Sequence, residues 1–158
     1  MPADGDLYNR DFYAWIRTQA HAVRAAASGG NLPIDWDNLA EELDALGRSE
    51  RREVSSCIDM IVEHLLKLSV PPAQAPRCGW IETVQRTRRD LERVLEDSPS
   101  LRPEVPAMIE RIGPGLARLV AANLRDSGEA TAPALARLHA MTFAPEQVLG
   151  DRLPDPPA

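Results

Sequence analysis

The sequence predicts an all-α fold, on three observations. Apolar residues recur every three or four positions over long stretches. No stretch of useful length alternates as a strand would. Clusters of Gly, Pro and Ser cut the chain into segments of helical length. The expected architecture is a helical bundle built on an antiparallel hairpin of the second and third helices, with a kinked or broken fourth helix. A chain of 158 residues is long enough to bury a core without disulfides or metals. One helical domain is expected over residues 9–150, after an N-terminal arm (1–8) and before a poorly ordered, proline-rich tail (151–158).

Asn9 is the expected N-cap of the first helix, with Asp11 in the first turn, where a carboxylate suits the helix dipole. Phe12, Ile16, Gln19, Val23 and Ala27 keep helical spacing until Ser28-Gly29-Gly30 stops the run. The second helix starts from Asp35 or Asn38, the latter at capping-box spacing from Glu41. No proline follows until Pro71-Pro72, which should end it. Leu39, Leu43, Leu46, Glu50, Val54, Ile58, Ile61, Leu65 and Leu68 trace one stripe along it. Gly47 lies within that run and favours either a kink or a close helix crossing.

A third helix is expected from Gly79 to Asp97, with Trp80, Val84, Arg88, Leu91 and Leu95 on one face and Ser98-Pro99 as its stop. The fourth opens near Pro103 and holds Val105, Ile109, Ile112, Leu116, Leu119 and Val120 in phase. Gly113-Pro114-Gly115 interrupts it, because Pro114 cannot donate to the carbonyl of residue 110. Thr131 and Pro133 open a short fifth helix to Met141, and residues 145–149 form one further turn.

Composition narrows the functional classes. Aromatics make up only 4% of the chain, and Tyr8, Phe12, Tyr13, Trp15 and Trp36 all precede residue 37, so the remaining core must be aliphatic. Eighteen basic against twenty-four acidic residues give a net charge of −6, which repels a phosphate backbone. The dense run Arg86, Arg88, Arg89 and Arg93 is interleaved with Glu82, Asp90, Glu92, Glu96 and Asp97, as on a solvated, ion-paired face. No nucleic-acid partner is expected. Neither a membrane-spanning run nor a secretory leader pattern is present, and Cys57 and Cys78 match no disulfide framework. The expected setting is the reducing cytoplasm, with no membrane partner.

Three polar residues fall where apolar ones belong. Glu50 lies inside the stripe of the second helix and needs a hydrogen-bonding partner. Tyr13, the Trp15 indole or the free N–H groups that open the first helix are its candidate donors. Arg88 occupies the apolar face of the third helix and is expected to carry its guanidinium out to the rim, without pairing with Glu50. His64 lies at the edge of the second-helix stripe. A metal site would combine it with Glu63, His21 or the Glu41/Glu42 pair, and the geometry is against most of these. His139 is isolated, so no metal is expected. Together Glu50, His64 and Arg88 are the candidate buried polar site. Tyr8, Tyr13, Trp15 and Trp36 are the candidate contact patch, since Tyr and Trp often anchor interfaces.

Several segments read together carry a family resemblance: LYNRDFYAW, DWDNLAEELDALGRSERRE, HLLKL, the W-x3-V-x3-R run from Trp80, LEDSPSLRP and PEQVLGDRLP. They resemble the bacterial family catalogued as domain of unknown function 29, over most of the chain from about Leu7 to Pro154. The chain departs from the family pattern from Asp126 to Thr142 and at the closing motif, where Thr142-Phe143-Ala144-Pro145 leads into the QVL segment. The resemblance implies a helical bundle in a bacterial, cytoplasmic protein and brings no catalytic residues with it. No G-x-S-x-G, phosphate-binding glycine loop or HExxH occurs either. The expectation is a non-catalytic protein–protein interaction module without a cofactor, working through a partner protein or self-association. The alternative is an enzyme or small-ligand binder with a polar pocket around Glu50, His64 and Arg88.

Overall fold

In the computed structural model, residues 5–30, 32–70, 74–128 and 130–154 are described. Regular structure among them is entirely helical: α1 (Gly5–Arg10), α2 (Phe12–Ala27), α3 (Trp36–Leu68), α4 (Gln74–Asp97), a 3-10 segment (Pro99–Glu104), α5 (Val105–Asp126), α6 (Ala132–Ala140) and α7 (Pro145–Leu149). The chain folds into two compact units, each assembled from separated segments. Unit 1 comprises Met1–Val54 and Arg93–Pro103, and unit 2 comprises Ser55–Glu92 and Glu104–Ala158.

In unit 1 the first helix begins earlier than the sequence suggests. Asn9 lies inside α1, and the N-cap of α2 is Asp11, in extended backbone with its carboxylate accepting the Ala14 N–H at 2.9 Å. Aspartate wins because one of its oxygens reaches a free N–H of the next turn. Asp35 in turn caps α3, accepting the Asn38 backbone N–H at 3.2 Å and side-chain amide at 2.7 Å. Gly47 leaves α3 unbroken and serves the close approach of α2: a Cβ there would stand 3.5 Å from Ile16 Cγ2 and 3.7 Å from Tyr13 Cε2. The buried side of the unit is formed by Ile16, Ala20, Ala40, Gly47, Val54, Leu95, Ser98 and Leu101.

Leu39 and Leu46 do not belong to that side. They are 42% and 40% exposed, whereas Ala40 is buried. At 100° per residue the two leucines share one line, about 100° around α3 from Ala40 and Gly47. The covered strip is therefore narrower than the apolar stripe.

Unit 2 has the aliphatic core expected from composition. Ile58, Ile61, Val62, Leu65 and Leu66 of α3, Val84 and Leu91 of α4, Val105, Met108 and Val120 of α5, Leu138 of α6 and Val148 of α7 are all fully buried. The helices α6 and α7 pack on α5. Pro71 and Pro72, the expected stop of α3, lie outside the described residues, and α3 ends at Leu68. On the far side of that gap α4 opens at Gln74, earlier than Gly79, with Pro76 in its first turn, where a missing N–H costs nothing. Pro114 does not break its helix, for α5 runs through it to Asp126. The reason is position: Glu110 and Pro114 are both exposed, so the carbonyl that loses its donor belongs to the solvent side, and the flanking glycines add no Cβ to crowd the ring. Residues 151–154 of the expected loose tail are engaged, with Leu153 and Pro154 half-buried.

Candidate functional site

Two polar clusters, one in each unit, take up two of the three polar residues singled out above, Glu50 and Arg88. In unit 1 the cluster forms where α4 ends. Ser98 follows the last residue of α4 and is completely buried. Its hydroxyl accepts the Tyr13 backbone N–H at 3.2 Å and donates to Glu50 Oε2 at 3.3 Å. Tyr13 N–H is one of the unpaired donors that open α2, so a serine from a distant segment closes the start of that helix. Asp11 completes the arrangement from the other side. Its carboxylate accepts the Ser100 backbone N–H at 2.9 Å and hydroxyl at 2.8 Å while still capping α2. One aspartate thus holds the first turns of both α2 and the 3-10 segment.

Glu50 is half-buried, and loss of solvent raises its carboxyl above the ordinary value near 4.5. The Ser98 hydrogen bond opposes that shift, and the negative charges of Glu53 and Asp97 add to it. The donors expected for Glu50 were those at the start of the first helix. The structure places Ser98 between them, so the helix start and the carboxylate share one hydroxyl.

In unit 2 the organising group is Arg88. It is 7% exposed, and its guanidinium does not reach the rim as expected. Nε donates to the Val148 carbonyl at 3.1 Å, and Nη2 donates to those of Gln147 at 2.6 Å and Arg152 at 2.8 Å. Two of these carbonyls belong to the last turn of α7, where the helix leaves its acceptors unpaired and its dipole is negative. A guanidinium there pairs acceptors that one sent to solvent would leave unpaired. Burial holds the Arg88 pKa below its usual value, opposed by the charge of Asp151. Nη1 is buried with no hydrogen-bond partner among the described residues. At its other end α7 is closed by the Gln147 side chain, which accepts the Ala144 N–H at 2.8 Å.

His64 takes part in neither cluster: its Nδ1 lies 2.8 Å from the Met60 carbonyl of its own helix. Glu50 belongs to unit 1, His64 and Arg88 to unit 2, and no hydrogen bond joins any two of the three among the described residues. Neither does any group of three or more His, Cys, Asp or Glu there stand as a metal would need. No described helix is long and apolar enough to cross a membrane.

The four aromatic patch residues occupy three places. Tyr8 stacks edge-on against Trp15 (4.9 Å between centroids) and Phe12 (5.6 Å). Tyr13 faces α3 and lies under the Arg17 guanidinium, 5.9 Å from its ring centre. Trp36 packs at Gly30, its indole nitrogen buried without a hydrogen-bond partner among the described residues. Of the four, only Tyr8 is an exposed residue, at 50%.

Asp11, Ser98 and Arg88 hold helix ends in place. Asp11, Glu50 and Ser98 come from three of the segments that carry the family resemblance, and Arg88 with its acceptors from two more. A family model described as "Domain of unknown function DUF29" matches residues 7–149, and the chain belongs to that family. Among solved structures it is similar to an alpha-helical protein of unknown function from Rhodospirillum rubrum. Identity is 21% and the TM-score 0.66, over 93% of this chain and 98% of the other, which shows a common fold. No curated protein matches.

Proposed function

We propose that this protein is a non-catalytic contact module that binds a helical segment of a partner protein through the leucine row of α3 and the loop before it. The observation that carries the reading is the exposure of Leu32 (63%), Ile34 (42%), Leu39 (42%) and Leu46 (40%) in unit 1. Leu39 and Leu46 are seven residues apart with the half-buried Leu43 beside them, the spacing that a facing helix reads as a seam. Burying one such side chain is worth about 2 kcal/mol. The alternative pocket around Glu50, His64 and Arg88 gains no support, because the first and last are committed to Ser98 and to the α7 carbonyls.

Site-specific photo-crosslinking in the native host tests the reading. A probe at Leu39 or Leu46 should trap a discrete protein that a probe at the exposed Arg52 does not. The added charge of Leu39→Glu with Leu46→Glu should abolish that product while α3 stays helical by circular dichroism. Equal trapping from all three positions, or none at all, defeats the proposal.

A further inference from the structure

We infer that the segment docking on the leucine row of α3 is a basic amphipathic helix, one whose apolar seam is bordered by Lys or Arg. The inference rests on the docking row proposed above and adds the charge of its occupant.

The side chains around the row are sorted by charge. Seen down the α3 axis at about 100° per residue, with the row midway between Leu39 and Leu46, the exposed Glu42 and Glu53 stand about 50° and 30° to one side. That side faces away from the buried Ala40 and Gly47. Asp35, which caps the helix, continues the same edge one turn before Leu39. Glu50 stands about 30° to the other side, and the negative charges of both Glu53 and Asp97 act on it. The three arginines of the same stretch, Arg48, Arg51 and Arg52, all lie about 130° or more from the row.

Most cations of unit 1 stand elsewhere. On the far side of α3 the acids have partners, Asp44 in Arg24 and Glu41 in Arg48, the latter at 2.8 Å. Arg17 lies there too, beside Gly47, Arg48 and Arg51. On α1, Arg10 pairs with Asp6 at 3.0 Å. The loop over residues 29–35 contains no Lys or Arg, and in the segment 93–103 Arg93 and Arg102 are balanced by Glu96 and Asp97. Among the described residues, neither the Glu42 nor the Glu53 side chain takes part in a hydrogen bond or an ion pair.

A short apolar row with acids along its outer edge selects its occupant by charge. A helix with Leu or Ile at heptad spacing covers Leu39 and Leu46, and Lys or Arg next to that seam comes to rest against Glu42 and Glu53. Rim pairs of this kind set the choice of partner and speed the encounter. A second copy of the chain fits worse. A two-fold contact through the row lays the Glu42–Glu53 edge beside its own copy when the helices run antiparallel, and beside Glu50 when they run parallel.

Fluorescence anisotropy with the full chain and three synthetic helical peptides tests the inference. The peptides share one leucine seam and differ only at the flanking positions, which are Lys, Gln or Glu. The Lys peptide should bind saturably and at least about tenfold more tightly than the Gln peptide, with the Glu peptide weakest. Raising salt from about 0.05 to 0.5 M should remove most of that difference. Glu42→Lys with Glu53→Lys should reverse the order of the Lys and Glu peptides, and Leu39→Gln with Leu46→Gln should abolish binding of all three. If the three peptides bind alike, or the Glu peptide best, and the leucine variant still loses them, the inference fails while docking on the row stands. Both fail if the leucine variant binds the Lys peptide like the parent, or if no peptide saturates by about 1 mM. A dimer in sedimentation equilibrium that the leucine variant loses would assign the row to a second copy and overturn the inference.

Discussion

Ser98 and Glu50 meet through a 3.3 Å hydrogen bond across 48 positions of sequence, and the same Ser98 hydroxyl receives the Tyr13 N–H that opens α2. Removing the hydroxyl therefore strands two groups at once. Ser98→Ala should cost about 2 kcal/mol, a fall of roughly 4–8 °C in melting temperature. Calorimetry of the variant measures it, and a fall below about 1 °C would show that the hydroxyl is not holding the helix start.

Glu50 contributes with the opposite sign at neutral pH. Because its carboxyl is raised in the folded chain, the native state holds this proton more firmly than the unfolded state does. Its contribution to stability is therefore greatest below the ordinary carboxylate range and is lost as pH rises through the raised value. Glu50→Gln keeps an acceptor for Ser98 and removes the charge. The variant should match the parent near pH 4 and melt higher at about pH 7. A variant that melts lower at neutral pH would mean that the Ser98 bond outweighs the loss of solvent.

Arg88 binds three carbonyls with one planar group. Arg88→Met should cost about 3 kcal/mol by leaving those acceptors unpaired. Arg88→Lys should recover only part of that, because an ammonium cannot reproduce the fork. Hydrogen exchange should quicken in residues 145–149 in both variants, more than in α6.

Gly47 offers a gain. The space above it is ordinary van der Waals distance from Ile16 and Tyr13, so Gly47→Ala should raise stability by up to about 1 kcal/mol through helix propensity. Gly47→Leu should lower it by forcing α2 away. Denaturant unfolding of the pair gives both signs. If alanine is as harmful as leucine, the helices are closer than 3.5 Å contact allows.

The helices were readable because their apolar spacing and their Gly and Pro stops are local properties. So was the oddity of Glu50 and Arg88, each standing out against the period of its own helix. Their partners were not readable. Ser98 looks like an ordinary residue after a helix, and nothing near it announces a carboxylate from another segment. The acceptors of Arg88 are backbone carbonyls, which every residue possesses, so no side chain marks them. Leu39 and Leu46 show a different gap: periodicity reveals the direction in which a helix is apolar, but not how far around its circumference a neighbour reaches.

The Arg88 bonds also carry a message about time. Its acceptors lie 59 to 64 positions later in the chain, so a ribosome must add them all before the guanidinium has anywhere to go. Until then α4 exists with a charge on the side it must bury. Unit 2 is thus expected to consolidate only after residue 152 has been made, with the closing of α7 as the event that lets that helix settle.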